Sequence, residues 1–435
     1  MGILKTSKEK LGLRELLALG IGGMIGGGIF SVLGISVSFA GNGAPFSFLI
    51  DLLIALAAGY HYVKLALTFR DDGASYTYLR RAFPEKPWIS GLEGWTVIIG
   101  YIGTLSLYSF TFGAYGADLL GFPDSNFLRV FLSVFVLLFF YYINVRGVVT
   151  SGITEDIIVY GKILILSLFA AIGLSQIEWS RFYPPFNKGV PSVFLGAAVI
   201  FVAYEGFQLI TNAVLETENP DKNIPRGIYG SIVITGTIYF LLSLIAVGVL
   251  TYDQIVSAKE YALAVVAQPI LGDWGRLLIG FAALLATSSA INSTLFGASR
   301  MAAEMAEEGM MPGFLAKRNK KFIPVNSLAL LTVSALLFTS LSGLTVIAEF
   351  SSVTFLLVSI GVSIANIKLR DLTKANVKTA LTGLVLMVVT TLTILVYLAL
   401  ENRKELLSIL LIYLITAVLF FVYYRTKKSG VLRSP

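Results

Sequence analysis

Long apolar runs alternate with short polar connectors along almost the whole chain. Crossing the hydrocarbon layer takes about 20 apolar residues in a helix. Twelve runs of that order can be laid out, at residues 13–39, 45–69, 88–119, 127–144, 153–177, 190–213, 227–251, 271–299, 326–341, 345–368, 376–399 and 405–424. The pattern predicts an all-α polytopic membrane protein with twelve transmembrane helices. Two runs are interrupted. Residues 20–30 place six glycines inside the first span, although each interior glycine costs about 1 kcal/mol relative to alanine. Residues 201–206 interrupt the sixth span and carry a carboxylate, Glu205. Non-helical backbone at membrane depth is tolerated only where it lines a buried cavity, and paired interruptions in corresponding halves point to the binding site of a secondary transporter.

Composition agrees with the pattern. Of 435 residues 56% are hydrophobic and 14% charged, with mean hydropathy +0.80, the profile of a helical membrane protein. There are no cysteines and one histidine, which excludes disulfides, thiolate chemistry and clustered histidine ligation. The basic segment 1–14 precedes an apolar run too long for a cleaved leader and reads as the approach to span one. With the N-terminus inside, 24 lysines and arginines fall in inner segments and 7 in outer ones. Basic residues accumulate on the cytoplasmic side, so both termini are expected there, in a multi-pass protein of the cell membrane. The net charge of +7 follows from this topology and calls for no nucleic-acid partner. Nothing in the sequence sets an oligomeric state.

An odd number of spans per repeat inverts the second copy and brings the two breaks face to face near the midplane. The expected division is 1–177 (spans one to five), 190–369 (spans six to ten, inverted) and 375–425 (an appended pair). Four segments then become specific: Gly23-Met24-Ile25-Gly26-Gly27-Gly28-Ile29-Phe30, Asp72-Gly73-Ala74-Ser75-Tyr76-Thr77-Tyr78, Phe201 to Gly206, and Asn219-Pro220-Asp221-Lys222-Asn223-Ile224-Pro225-Arg226. Together they resemble the signatures of the amino acid, polyamine and organocation (APC) transporter superfamily. The resemblance implies a LeuT-like fold, a 5+5 inverted repeat with helices 1 and 6 broken, and amino acid transport. Lys162 in span five makes the chain similar to the proton-coupled members.

At the first break, orphan N–H groups of Gly26, Gly27 and Gly28 at the start of the outer half-helix favour a carboxylate. Carbonyls of Gly23 and Met24 just before them can receive an ammonium. An α-amino acid supplies both groups on one carbon. The alternative is that these glycines serve close helix packing alone. The resemblance implies that Phe201, Val202 and Ala203 are unwound and offer further carbonyls to the amine. It also marks Gly27 as standing where serine is commoner, and Val202 where some relatives have a bulky aromatic gate; the smaller residue suggests broad neutral substrates. Glu205 either meets the amine at the pocket edge or serves as a structural hydrogen-bond partner turned away from it; an unpaired carboxylate there costs at least ~2.5 kcal/mol on insertion scales.

Lys162 lies too deep in span five for easy snorkelling and is a functional candidate on that ground. In sodium-coupled relatives of the fold, span one carbonyls and span eight hydroxyls hold an ion beside span five. The resemblance therefore implies that a protonated Lys162 reaches the Gly23 carbonyl and a hydroxyl of Thr287 or Ser288, with Ser289 beside them, and that a proton replaces sodium. A structural pairing with Glu205 or Asp156 is the alternative. Lys64 is close enough to the span end to snorkel, His61 reads as a buried hydrogen-bonded residue or one that faces lipid headgroups, the loop from Arg70 to Lys86 as an inner gate, and the run Lys317, Arg318, Lys320, Lys321 as positive-inside charge. The expected function is amino acid uptake by proton symport with no cofactor, against exchange or a non-transporting sensor. No nucleophile with its base, metal cluster or nucleotide loop suggests an enzyme.

Overall fold

A computed structural model describes residues 10–70, 74–147, 152–258 and 260–431. Asp72 and Gly73 of the loop motif, and the charges Lys5, Lys8, Lys259 and Arg433 used in the topology count, lie outside the described residues.

The described chain is helical throughout. In order, the elements are α1 (Leu13–Met24), α2 (Gly28–Ala40), α3 (Ala44–Phe69), α4 (Ala74–Ala82), α5 (Pro87–Leu119), α6 (Asn126–Arg146), α7 (Gly152–Gly173), α8 (Val190–Ile200), α9 (Pro220–Val249), α10 (Tyr252–Ser257), α11 (Ala262–Glu307), α12 (Val325–Leu341), α13 (Leu344–Lys368), α14 (Arg370–Thr373), α15 (Val377–Glu401) and α16 (Arg403–Val431). Among the described residues ten helical stretches are long and apolar enough to cross a membrane, and α12 is a shorter apolar helix. The stretch Ala262–Glu307 is kinked at Gly272, whose φ of 66° is outside the helical range.

Burial separates an inner group from an outer one. The apolar windows of α5 and α13 are 78% buried and that of residues 190–216 is 83% buried, against 22% for α6 and 17% for α16. The outer helices present apolar side chains outward, for example Phe127, Phe131, Phe135 and Phe139 at four-residue spacing on α6. Such a surface would be unstable in water and suits a hydrocarbon solvent, so the protein is a multi-pass membrane protein. Serine and threonine stitch the inner helices where hydrophobicity cannot drive association: Ser31 to Thr111 at 2.7 Å joins α2 to α5, and Ser109 to Thr339 at 2.9 Å joins α5 to α12.

Both interruptions are real breaks. α1 stops at Met24 and α2 starts at Gly28. Between α8 and α9 the backbone tightens into 3-10 turns at Phe201–Tyr204 and Phe207–Glu216, with Glu205 extended between them. Gly206 has φ of 136°, a region essentially restricted to glycine. The two breaks touch: a Cβ on Gly23 would sit 2.9 Å from the Gly206 Cα.

Candidate functional site

A cavity of about 430 Å³ leads to this crossing. Its walls come from α1 (Gly22, Gly23), α3 (Tyr62), α5 (Tyr101, Thr104, Tyr108), the second break (Glu205, Gly206, Gln208) and α11 (Ala290, Ser293, Thr294). Its rim includes the exposed residues Asn212, Glu216, Gly297 and Glu304. That end of the molecule is also where the chain enters α1, because Leu11 pairs with the end of the second break through Leu11 N to Glu216 O at 2.8 Å and Glu218 N to Leu11 O at 2.9 Å. Away from the cavity, Phe30 and, within the second break, Phe201, Val202 and Ala203 are packed to 1% exposure or less. The Tyr115 hydroxyl donates to the Phe30 carbonyl there at 3.2 Å.

Among the expected site residues, Gly23 and Glu205 line this cavity, whereas Met24, Gly26, Gly27, Gly28, Phe201, Val202 and Ala203 do not. The difference has a physical cause. A Cβ on Gly27 would run into the Tyr108 ring, one on Gly26 into Ala290 and one on Gly28 into the Tyr239 hydroxyl. The glycine triplet thus gives both an interrupted helix and close packing, which the sequence had posed as alternatives. The Tyr239 hydroxyl donates to Met24 O at 2.7 Å, lies 3.2 Å from Ala203 O, and meets the Ile29 backbone. One side chain of α9 therefore answers a carbonyl of the first break and an amide at the head of α2, within reach of a carbonyl of the second, groups that would otherwise be stranded in a dry interior. Ser352 of α13 does the same for the second break, accepting from Val202 N at 3.0 Å while donating to Val199 O at 2.7 Å. Tyr204 donates to Phe48 O at 2.8 Å. Tyr239 and Ser352 were missed from the sequence, where a tyrosine or serine in an apolar span carries no mark of its partner.

Glu205 is 4% exposed and faces the cavity, with the Gln208 side chain beside it; Gln208 also accepts from Gly206 N at 3.2 Å. Lys162 on α7 is 2% exposed. Its Nζ donates to the carbonyl of Ile25, at 3.4 Å, two residues on from the expected Gly23. Ile25 is the first residue past α1, so its carbonyl lies in the break itself. Thr287 is buried with its hydroxyl directed at Ala283 O, 2.7 Å away, in its own helix, and Ser288 is half-buried. Asp156 sits in the field of Arg14 and Glu15.

The remaining candidates have structural partners. His61 is fully buried, its Nδ1 3.0 Å from the Asn366 amide. Lys64 reaches the Lys374 carbonyl at 3.3 Å. Asp118 is buried and paired with Arg276, tying the end of α5 to α11. In α4, Tyr76 and Arg80 both hold Glu308, at 2.5 and 2.6 Å, and Arg70 grips Asp221 with two contacts of 2.8 and 2.9 Å. Of the basic run, Arg318 pairs with Glu307 at 3.0 Å and Lys321 caps the Arg146 carbonyl at 2.7 Å.

The family model for amino acid permeases matches residues 11–429. The chain belongs to the amino acid permease family. It is a membrane transporter and not an enzyme. The permease is similar to an uncharacterised protein of Methanocaldococcus jannaschii, 30% identical over 429 residues that cover 98% of each chain. It is also similar to a branched-chain amino acid permease of Bacillus subtilis, 29% identical over 393 residues, 85% of this chain and 84% of the relative. A serine/threonine exchanger of the same organism is 28% identical over 313 residues, 70% of each chain.

Proposed function

We propose that the permease is a secondary active transporter that takes up α-amino acids, chiefly neutral ones, by proton symport with alternating access. The observation that carries this reading is the cavity of about 430 Å³ that runs from Gly23 and Glu205, at the crossing of the two breaks, to one end of the molecule. In this reading the substrate carboxylate takes the N–H groups of Gly26, Gly27 and Gly28, and its ammonium takes carbonyls of Gly23, Met24, Phe201, Val202 and Ala203 with Glu205 alongside. Tyr108 and Tyr239, which now cover the triplet, must shift as substrate enters. Support for a neutral preference comes from Glu205 being, among the described residues that line the cavity, the one acidic side chain at its inner end; the branched-chain permease among the relatives agrees in kind.

Twelve spans, a 5+5 inverted repeat of 1–177 against 190–369 and an appended pair in 375–425 belong to the same proposal, with both termini cytoplasmic in the cell membrane. The cavity mouth then opens inward. Lys162 is the proposed coupling group. Charged, it holds α7 to the break through Ile25, with Thr287 and Ser288 on the opposing helix; neutral, it releases that restraint. Each unit of pKa difference between the two arrangements biases them by about 1.4 kcal/mol.

Liposomes with an imposed pH gradient test the reading. Wild-type protein should accumulate labelled neutral amino acid without sodium, and Lys162→Ala and Lys162→Arg should both lose accumulation, arginine because it keeps its charge. Proton-driven uptake by Lys162→Ala would refute this role for the lysine. A second reading, exchange, is favoured by the serine/threonine exchanger among the relatives; uptake that requires amino acid inside the liposome and ignores the gradient would select it.

A further inference from the structure

At the end of the molecule away from the cavity mouth, a second cavity of about 490 Å³ opens between α2, α8, α13 and the turn joining α15 to α16. It is polar and holds one charge of each sign, Lys188 and Glu405, together with Thr345 and Asn402. A groove of about 460 Å³ along α8 and α15 continues from it, the two sharing Ser192, Leu195 and Tyr397. The groove is apolar, and its wall residues Val389, Leu392 and Val396 are 51–54% exposed on the outward face of α15. From Asn402 down to Val389 the helical rise gives about 20 Å, the depth of one leaflet of hydrocarbon and a little more. A polar pocket at headgroup level thus continues into an apolar trough at acyl-chain level.

Two observations say what chemistry the pocket lacks. Oε2 of Glu405 and the Thr345 hydroxyl are both shielded from solvent and have no hydrogen-bond partner, a costly state unless a ligand completes them. Lys188 already spends two N–H donors, on Ser38 O at 2.7 Å and on the Tyr252 hydroxyl at 2.6 Å, and has a third left. We propose that this cleft is a site for a phospholipid with an amine-bearing, zwitterionic headgroup. The ammonium supplies the donors that Glu405 needs, the phosphate takes the remaining Lys188 donor, and one acyl chain lies against Val396, Leu392 and Val389. A purely anionic headgroup would satisfy Lys188 and leave its phosphate facing an uncompensated carboxylate.

The test is lipid retention by the purified protein, read by native mass spectrometry, with phosphatidylethanolamine and phosphatidylglycerol of identical chains as probes. Phosphatidylethanolamine should be retained at least tenfold better. Glu405→Gln, nearly isosteric, should remove that preference by lowering phosphatidylethanolamine retention and raising phosphatidylglycerol retention, and Leu392→Trp, which fills the trough, should lower phosphatidylethanolamine retention at least tenfold. Equal retention of the two lipids by the wild type would overturn the proposal, as would unchanged phosphatidylethanolamine retention in both variants. Displacement of the lipid by equimolar glycerophosphoethanolamine would also overturn it, since the trough would then contribute nothing. None of these outcomes depends on what the permease transports.

Discussion

Gly206→Ala puts the contact between the two breaks under direct load. A methyl group there would lie 2.5 Å from the Gly23 carbonyl carbon and 2.6 Å from the Met24 nitrogen. Both are backbone atoms, so no side-chain rotation relieves the clash. Alanine must also hold φ near 136°, which costs about 1–3 kcal/mol, and overpacking of this kind adds about 1–3 kcal/mol. The sum is about 2–6 kcal/mol. With an unfolding entropy of about 2.1 cal/mol/K per residue, a chain of 435 residues loses roughly 1 °C per kcal/mol, so the expected drop in melting temperature is about 2–6 °C. If the protein instead parts the two breaks to relieve the clash, the melting loss shrinks and substrate binding goes. The assay is therefore thermal unfolding in detergent beside binding of labelled neutral amino acids, with Gly161→Ala as control. Gly161 is a helical glycine with nothing within 4 Å of its Cβ position, and alanine there should be neutral or stabilising by up to about 1 kcal/mol. A Gly206→Ala protein that melts and binds like the wild type would refute the claim that the backbone contact with Gly23 and Met24 organises the crossing.

Gly27→Val should abolish amino acid binding while the protein remains folded, because the side chain would meet the Tyr108 ring over the triplet; normal binding would place the site elsewhere. Ser352→Ala strands the Val202 N–H and the Val199 carbonyl and should cost about 1–3 kcal/mol, read as a lower melting temperature, with an unchanged one refuting the role. In a competition panel of unlabelled amino acids, small and medium neutral ones should inhibit uptake and arginine should not; selective inhibition by arginine would reverse the specificity argument.

Much of this architecture follows from local sequence. Apolar run length specifies helices that must cross a membrane, because the bilayer imposes the length. The glycine cluster at 20–30 and Gly206 specify where helices cannot continue, because conformational cost is a property of the residue itself. Buried charge marked Lys162 and Glu205 for the same local reason. What the sequence could not carry is which group answers each stranded donor and acceptor. Tyr239 lies on α9 and Ser352 on α13, far along the chain from the carbonyls and amides they satisfy, and nothing in their own neighbourhoods distinguishes them from packing residues. Lys162 stands out in the sequence as a buried charge, and that its ammonium reaches the Ile25 carbonyl is decided by where α1 ends and how α7 leans on it. That Gly27 packs against Tyr108 and Gly28 against Tyr239 is likewise decided by the relative placement of α5, α9 and the first break. Helix limits are short-range energetics and can be read residue by residue; hydrogen-bond satisfaction in a dry interior is a pairing between distant segments, which tertiary packing alone resolves.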